Sequence, residues 1–301
     1  MRTVAVASGK GGTGKTTLTA LFAHLASRHM TVAVADGDVE ASNLPLALHA
    51  ETEECFAFTG GETAAIDPAA CIGCGLCARV CRFDAIAFDL AAGAFRVDPF
   101  ACEGCRRCAY HCPSKAVTML PSTAGEACVG RSSIGPIAFG QLGPGEDLSG
   151  RLVTEVRRLG ADAADHSAAD VLLIDGPPGI GCPLTAAVAS TDLVVAVAEP
   201  TVSGAHDLER LIEAATRLGL PVRVVLNKAD LSDQGAERVR TLCSQRDVPL
   251  VAEIPFDPAL AGVLSGLAAG DDERFRGDSP GMRVAAVAWS SVAAQLALPG
   301  L

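Results

Sequence analysis

Eight of the chain's twelve cysteines fall in two tight runs. Cys71-x2-Cys74-x2-Cys77-x3-Cys81 is followed by Cys102-x2-Cys105-x2-Cys108-x3-Cys112, with Pro113 after the last. Thiolates are soft donors, and four of them around one centre suit an iron–sulfur cluster. A second constellation lies near the first residue. Gly9-Lys10-Gly11-Gly12-Thr13-Gly14-Lys15-Thr16 fits G-x-x-x-x-G-K-[ST], a loop whose backbone N–H groups can cradle phosphates. Its glycines let the backbone wrap closely, and the helix that it opens adds partial positive charge. Lys15 is placed to reach β- and γ-phosphates, and the Thr16 hydroxyl to ligate Mg2+.

The cysteine spacing is similar to that of bacterial two-cluster ferredoxins, in which the fourth cysteine of each run ligates the other cluster. By that resemblance Cys71, Cys74, Cys77 and Cys112 hold one [4Fe–4S] cluster, and Cys102, Cys105, Cys108 and Cys81 hold the second. Two runs of four at this spacing are wrong for zinc fingers. Arg82 follows Cys81, where the pattern has proline. The segment is an internal repeat: Asp67-Pro68-Ala69-Ala70-Cys71 returns as Asp98-Pro99-Phe100-Ala101-Cys102, and Ala85-Ile86 as Ala116-Val117. Residues 59–121 are therefore expected to form a small α+β insert. Paired clusters read as an electron wire, against the plainer reading that they staple a domain with little core.

The elements around these motifs alternate. Thr3–Ala7 and Thr31–Ala35 read as buried strands, with a helical stretch at Lys15–Arg28 between them. The rhythm returns with apolar runs at Val171–Ile174, Leu193–Ala198, Val222–Leu226 and Leu250–Ile254, ending in Asp175, Glu199-Pro200, Asn227-Lys228 and Pro255. Strands alternating with helices imply an α/β fold with a doubly wound, mostly parallel sheet over residues 1–58 and 122–301. In such a sheet the functional residues gather at the carboxyl ends of the strands.

The stretch Lys10-Gly11-Gly12-Thr13-Gly14-Lys15-Thr16-Thr17 resembles the deviant phosphate loop of the MinD/ParA/nitrogenase-iron-protein ATPases. Ala35-Asp36-Gly37-Asp38, followed by Asn43-Leu44, resembles that family's first switch. Leu173-Ile174-Asp175-Gly176-Pro177-Pro178-Gly179 resembles its Walker B strand and second switch. The resemblance implies a MinD-like ATPase carrying an inserted dicluster ferredoxin domain. It implies that Lys10 crosses a homodimer interface to the partner's nucleotide, and that Asp38 orients or deprotonates the attacking water. It further implies that Asp175 holds the Mg2+ shell, that Gly179 approaches the γ-phosphate, that Asn227 contacts adenine and that Pro255 lines the base pocket. Asp36 stays undecided. Asn227-Lys228-Ala229-Asp230 also fits the guanine-reading Asn-Lys-x-Asp; the family resemblance favours ATP. The implied function is ATP hydrolysis coupled to electron transfer through the clusters to a partner protein. The alternative is an iron–sulfur carrier or assembly ATPase of the Mrp type.

Cys182 and Cys128-Val129-Gly130-Arg131 resemble the cluster-ligand surroundings of the nitrogenase iron protein. Two readings stay open for Cys128 and Cys182: ligands to a further [4Fe–4S] cluster shared across a dimer, or small buried hydrophobes. Cys243 reads as packing, and Cys55 is uninformative. Net charge is −11 with four lysines, which argues against a nucleic-acid surface or a basic membrane helix. The chain is 49% hydrophobic but 4% aromatic, a composition suited to a sheet core of small aliphatics. No run reaches the ~18 apolar residues of a membrane span, so a cytoplasmic location is expected, with reduced thiols rather than disulfides.

Overall fold

Short runs of Val, Ala and Leu, each bounded by a polar or glycine-rich turn, form most of the strands. In chain order the elements are β1 (Arg2–Ser8), α1 (Lys15–Ser27), β2 (Val32–Asp36), α2 (Leu44–Ala47), β3 (Glu51–Ile66), α3 (Leu76–Val80), β4 (Ile86–Asp89), β5 (Ala94–Val97), α4 (Arg107–His111), β6 (Val117–Arg131), β7 (Pro136–Leu142) and α5 (Ser149–His166). These are followed by β8 (Val171–Pro178), α6 (Cys182–Val188), β9 (Leu193–Ala198), α7 (Val202–Arg217), β10 (Val222–Asn227), α8 (Asp233–Gln245), β11 (Leu250–Ile254), α9 (Pro258–Ser265) and α10 (Pro280–Gln295). The structure is a computed structural model and describes residues 1–146, 148–265 and 279–298.

The main sheet runs β11-β10-β9-β1-β8-β2-β7-β6-β3. Every pairing from β11 through to β7 is parallel. Parallel strands covered on both faces lose alternation and become apolar throughout, and β2 and β9 are buried at every position. One face carries α1 and α10, with the Phe22 and Trp289 ring centroids 5.4 Å apart. The other face carries α5, where a Cβ on Gly160 would lie 3.0 Å from the Ala35 Cβ; glycine lets this helix sit close on β2. Sequence reasoning missed β7, α5 and the long strands β3 and β6. The strands β3 and β6 are exposed or half-buried over most of their length and carry threonine, glutamate and glycine, so no apolar run marks them. β7 has only the short run Ile137-Ala138-Phe139, and α5 is an amphipathic helix whose buried residues are spaced along one face.

The chain divides into two units: Met1–Phe56, Ala127–Leu142 and Ser149–Leu301 make the first, Ala57–Glu126 and Gly143–Leu148 the second. The second unit is wider than the expected 59–121. β3 and β6 run through the division without a break, so no turn or linker marks it in the sequence.

Within the second unit the repeat is visible as crossed hydrogen bonding. Asp67 N donates to Ala116 O (2.8 Å), and Asp98 N donates to Ala85 O (2.7 Å). Each repeat's opening aspartate thus binds the other repeat's closing strand. The aspartates also make matching local turns, Ala69 N to Asp67 Oδ1 and Phe100 N to Asp98 Oδ1. Residues Gly75 and Arg106, equivalent in the two copies, both stand at positive φ (70° and 63°) before the short helices α3 and α4. Arg106 is tethered there by its guanidinium on Glu62. Ala64, Cys77, Ile86, Cys108 and Val117 form the small core, with Cys81, Cys102 and Cys112 packed against it.

Candidate functional site

Parallel strands deliver their carboxyl ends to one edge, and β1 lies between β9 and β8, where the chain's winding reverses. The loop after β1 there wraps a cavity of about 410 Å3 lined by Gly11 to Leu18 with Asp38, Asn43, Val197, Asn227, Lys228, Ile254, Phe256, Asp257 and Leu260. Gly14 has φ +91°, and a Cβ there would meet the Asn227 amide nitrogen at 2.4 Å. Glycine is required at that position on both counts.

Lys15, 6% exposed, points its ammonium to 3.8 Å from Asp38 Oδ2. The Thr16 hydroxyl donates to Asp175 Oδ2 at 2.6 Å, and the Thr19 hydroxyl lies 3.1 Å from Asp175 Oδ1. Asp175 is fully buried. Burial raises its pKa, opposed by Lys15, Thr16 and Thr19. Asp38 is also raised, first by burial, with Lys15 opposing and Asp175 reinforcing. Thr13 is 2% exposed and its hydroxyl has no hydrogen-bond partner among the described residues. The hydroxyl of Thr16 and the carboxylate of Asp175 are hard oxygen donors that fit Mg2+, a Lewis acid for phosphate oxygens.

Asp36, left open by the sequence, proves to be an organiser. Its Oδ1 accepts from Asp38 N (3.0 Å), and its Oδ2 accepts from the Ser42 hydroxyl (2.8 Å) and Leu44 N (3.0 Å). One fully buried carboxyl thereby shapes the whole Asp38–Leu44 turn.

Some expected residues sit elsewhere. Pro255 does not line the cavity, whereas its neighbours Ile254 and Phe256 do, because an extended chain sends alternate side chains to opposite sides. Gly9 is outside the lining; the space above it is filled by Asp207 of α7. Gly179 is likewise outside it, and its N–H donates to Ser8 O at 3.2 Å. Asn227 lines the cavity, but its amide donates to Thr13 O (2.8 Å) and its carbonyl accepts from Lys228 N (3.0 Å). The side chain braces the loop from the side. Lys10 points away from the cavity, to Glu199 at 2.9 Å and Thr201.

The second unit holds two cysteine cavities. One is lined by Cys71, Cys74, Cys77 and Cys112, the other by Cys81, Cys102, Cys105 and Cys108. All eight are free thiols. Each set takes its fourth member from the other run. That is the donor set a [4Fe–4S] cluster needs, and the chemistry fits. Burial raises the thiol pKa of Cys77 and Cys108. At Cys112 burial is outweighed by hydrogen bonds from Ser114 and from the N–H groups of Ala116, Ser114 and Val117, which lower it.

Cys128 requires a correction. It forms a disulfide with Cys55, its neighbour across adjacent strands β6 and β3, with Cα atoms 4.1 Å apart. Its sulfur is thus committed, and the shared cluster on Cys128 and Cys182 loses half its donors. The expectation of thiols throughout fails at this pair because the two strands place it side by side, a relation invisible across a sequence separation of 73. Cys182 is exposed at the start of α6. Cys243 is buried in α8, and burial pushes its thiol up to about 11. Among the described residues no helix is long and apolar enough to cross a membrane.

Residues 4–266 match the family model for the CobQ/CobB/MinD/ParA nucleotide binding domain. The uncharacterized protein MJ0578 of Methanocaldococcus jannaschii is 33% identical over 230 residues, covering 76% of this chain and 79% of its own. The uncharacterized ATP-binding protein MJ0547 of the same organism is 25% identical over 262 residues, covering 85% and 74%. The cell division ATPase MinD of Pyrococcus furiosus superposes with a TM-score of 0.55 at 21% identity, over 97% of this chain and 98% of that one. The septum site-determining protein MinD of Pyrococcus horikoshii, complexed with Mg-ADP, gives 0.55 at 20% identity over 97% and 95%. The two structural likenesses establish a shared fold.

Proposed function

The chain belongs to the CobQ/CobB/MinD/ParA nucleotide-binding family, and from that premise we propose that it is a Mg2+-dependent ATPase whose hydrolysis is coupled to electron transfer by an iron–sulfur unit to a partner protein. The observation that carries the nucleotide half is the convergence of Lys15, Thr16 and Asp38 on one cavity wrapped by the phosphate loop, with the buried Asp175 held against the Thr16 hydroxyl behind it. Lys15 neutralises β/γ-phosphate charge. Asp38, beside Lys15 and held at higher pKa by burial, accepts the proton of the attacking water as the bond from the γ-phosphorus to the β–γ bridging oxygen breaks. Thr16 and Asp175 are the residues for the metal.

Adenine rather than guanine is favoured by Asp230. A guanine reader needs that carboxylate facing the base; here Oδ1 accepts from Phe256 N at 2.6 Å and Asp230 is absent from the cavity wall. The Asn227-Lys228 segment serves as a brace. MJ0547, described as ATP-binding, agrees with this reading.

The electron-transfer half rests on the two four-thiol cavities. Residues Cys71, Cys74, Cys77 and Cys112 would hold one [4Fe–4S] cluster, and Cys102, Cys105, Cys108 and Cys81 the other. Such clusters supply one-electron chemistry. The Mrp-type carrier reading needed a labile cluster between copies, and the Cys55–Cys128 pairing removes part of its donor set. A homodimer in which each Lys10 serves the other copy's nucleotide completes the proposal.

The test is anaerobic purification with iron, sulfide and ATPase assays. About eight irons per chain, ATP hydrolysis abolished by K15A, and cluster reoxidation accelerated by Mg-ATP with a redox partner are expected. Full ATPase activity in K15A, or cluster reaction rates indifferent to nucleotide, would overturn the respective half.

A further inference from the structure

Glu199 has no assigned part in the chemistry above, yet two of the chain's four lysines converge on it. It stands immediately after β9. Its Oε2 lies 2.9 Å from Lys10 Nζ, and its Oε1 accepts from Lys228 Nζ at 2.6 Å. The glutamate side chain is 13% exposed, and the lysines 31% and 28%. Lys10 Nζ also approaches the Thr201 hydroxyl at 3.4 Å, while Lys228 Nζ also donates to Gly12 O at 3.0 Å. The turn presenting the carboxylate is itself fixed: Thr201 N donates to Glu199 O (2.8 Å), and the Thr201 hydroxyl caps α7 at Gly204 N (2.9 Å). Burial of Glu199 is outweighed by Lys228 and Lys10, and its carboxyl is held below the ordinary range.

The consequence for the loop is a division of labour between its lysines. Lys15 lines the cavity, whereas Lys10 is turned out of it and neutralised. We propose that Glu199 is a positioning residue, a latch that keeps Lys10 on its own chain until a competing polyphosphate anion, the nucleotide of a second copy, takes the ammonium over. This rests on the sandwich-dimer reading given above. Lys228 does not leave with Lys10, because Gly12 O holds it from the other side. The released carboxylate therefore keeps a counter-ion, and the loop keeps its brace. A part-exposed lysine–glutamate pair contributes modestly, so a triphosphate can displace it, yet its loss is measurable.

Two readouts on the full chain separate the latch from the dimer. The first is acylation of Lys10 by an amine-reactive ester in the nucleotide-free monomer, followed by peptide mass spectrometry. Removing the carboxylate charge in E199Q should speed Lys10 labelling about fivefold, and E199D should return it to within about twofold of the parent rate. The second is ATP-dependent dimerisation in a D38A background, which holds the triphosphate. There E199Q should tighten the dimer about 25-fold, one fivefold factor for each of its two latches, and E199Q/K10A should be no tighter than K10A. Unchanged Lys10 labelling in E199Q overturns the latch. A dimer in the D38A background that E199Q leaves unchanged or weakens overturns it as well. If no variant dimerises with ATP, the sandwich reading falls, and the labelling rate alone decides for or against Glu199 as a cis latch.

Discussion

Asp36 and Asp175 are register partners on the adjacent parallel strands β2 and β8, and both carboxyls are fully buried. Burial, then the proximity of Asp175, pushes Asp36 from 3.8 up to about 7, against hydrogen bonds from Ser42, Leu44 and Asp38. The folded nucleotide-free chain therefore retains a proton that the unfolded chain has lost. Stability should fall as pH rises from about 4 to 7 and level off above. Carboxyls with lowered pKa, such as Glu199 and Asp257, act below their ordinary values and leave this window clear. Urea unfolding of the nucleotide-free protein between pH 5 and 7 tests this. D36N should shrink the slope without abolishing it, because Asp38 and Asp175 act in the same sense. A chain that becomes more stable from pH 5 to 7 would contradict the assignment.

In the proposed hydrolysis Asp38, which lines the cavity 3.8 Å from the Lys15 ammonium, takes a proton from water and does not grip phosphate. D38A should lower kcat for ATP by roughly 100-fold or more while KM stays within a few-fold. A matching rise in KM would make Asp38 a binding residue.

Thr16 and Asp175 share one hydrogen bond at 2.6 Å. T16A should lose most of the Mg2+ dependence of nucleotide affinity and retain the fold. Nucleotide titrations with and without Mg2+, followed by a fluorescent analogue, measure the difference.

The two cysteine cavities draw on both runs, which gives a sharp test. C112A should lose the same cluster as C71A, and C81A the same as C102A, each leaving about four of eight irons. Iron content and electron paramagnetic resonance of the single and paired variants check this. If C112A and C102A lose one cluster in common, the assignment across runs is wrong.

Cys55 and Cys128, 73 apart in sequence, close a loop that contains all eight cysteines of the two runs. In the chain-entropy account such a bridge contributes about 4 kcal/mol. Reduction, or C55S, should lower the melting temperature by several degrees, and non-reducing peptide mapping should recover the Cys55–Cys128 pair. Free thiols at both positions in the purified protein would refute the pairing.

What was legible in the sequence was local. The phosphate loop is one turn between β1 and α1, so its residues and their spacing are the site. The cysteine runs likewise carry their spacing along the chain, and the period of the repeat marked which residues correspond. The parallel sheet followed from apolar runs, since strands covered on both faces need no alternation. The tertiary structure decided the rest. Asp36 became an organiser because its turn folds back over it, and Asp175, which the family resemblance ties to the same metal as Thr16, reaches that hydroxyl because β8 lies beside β1. Pro255 yielded to its neighbours because alternation along an extended chain, not position in a motif, sets which side chain faces the cavity. Cys128 found Cys55 across the sheet, and Glu199 found two lysines from distant loops. Contacts between residues far apart in sequence depend on the order and register of strands, and no spacing along this chain encodes those directly.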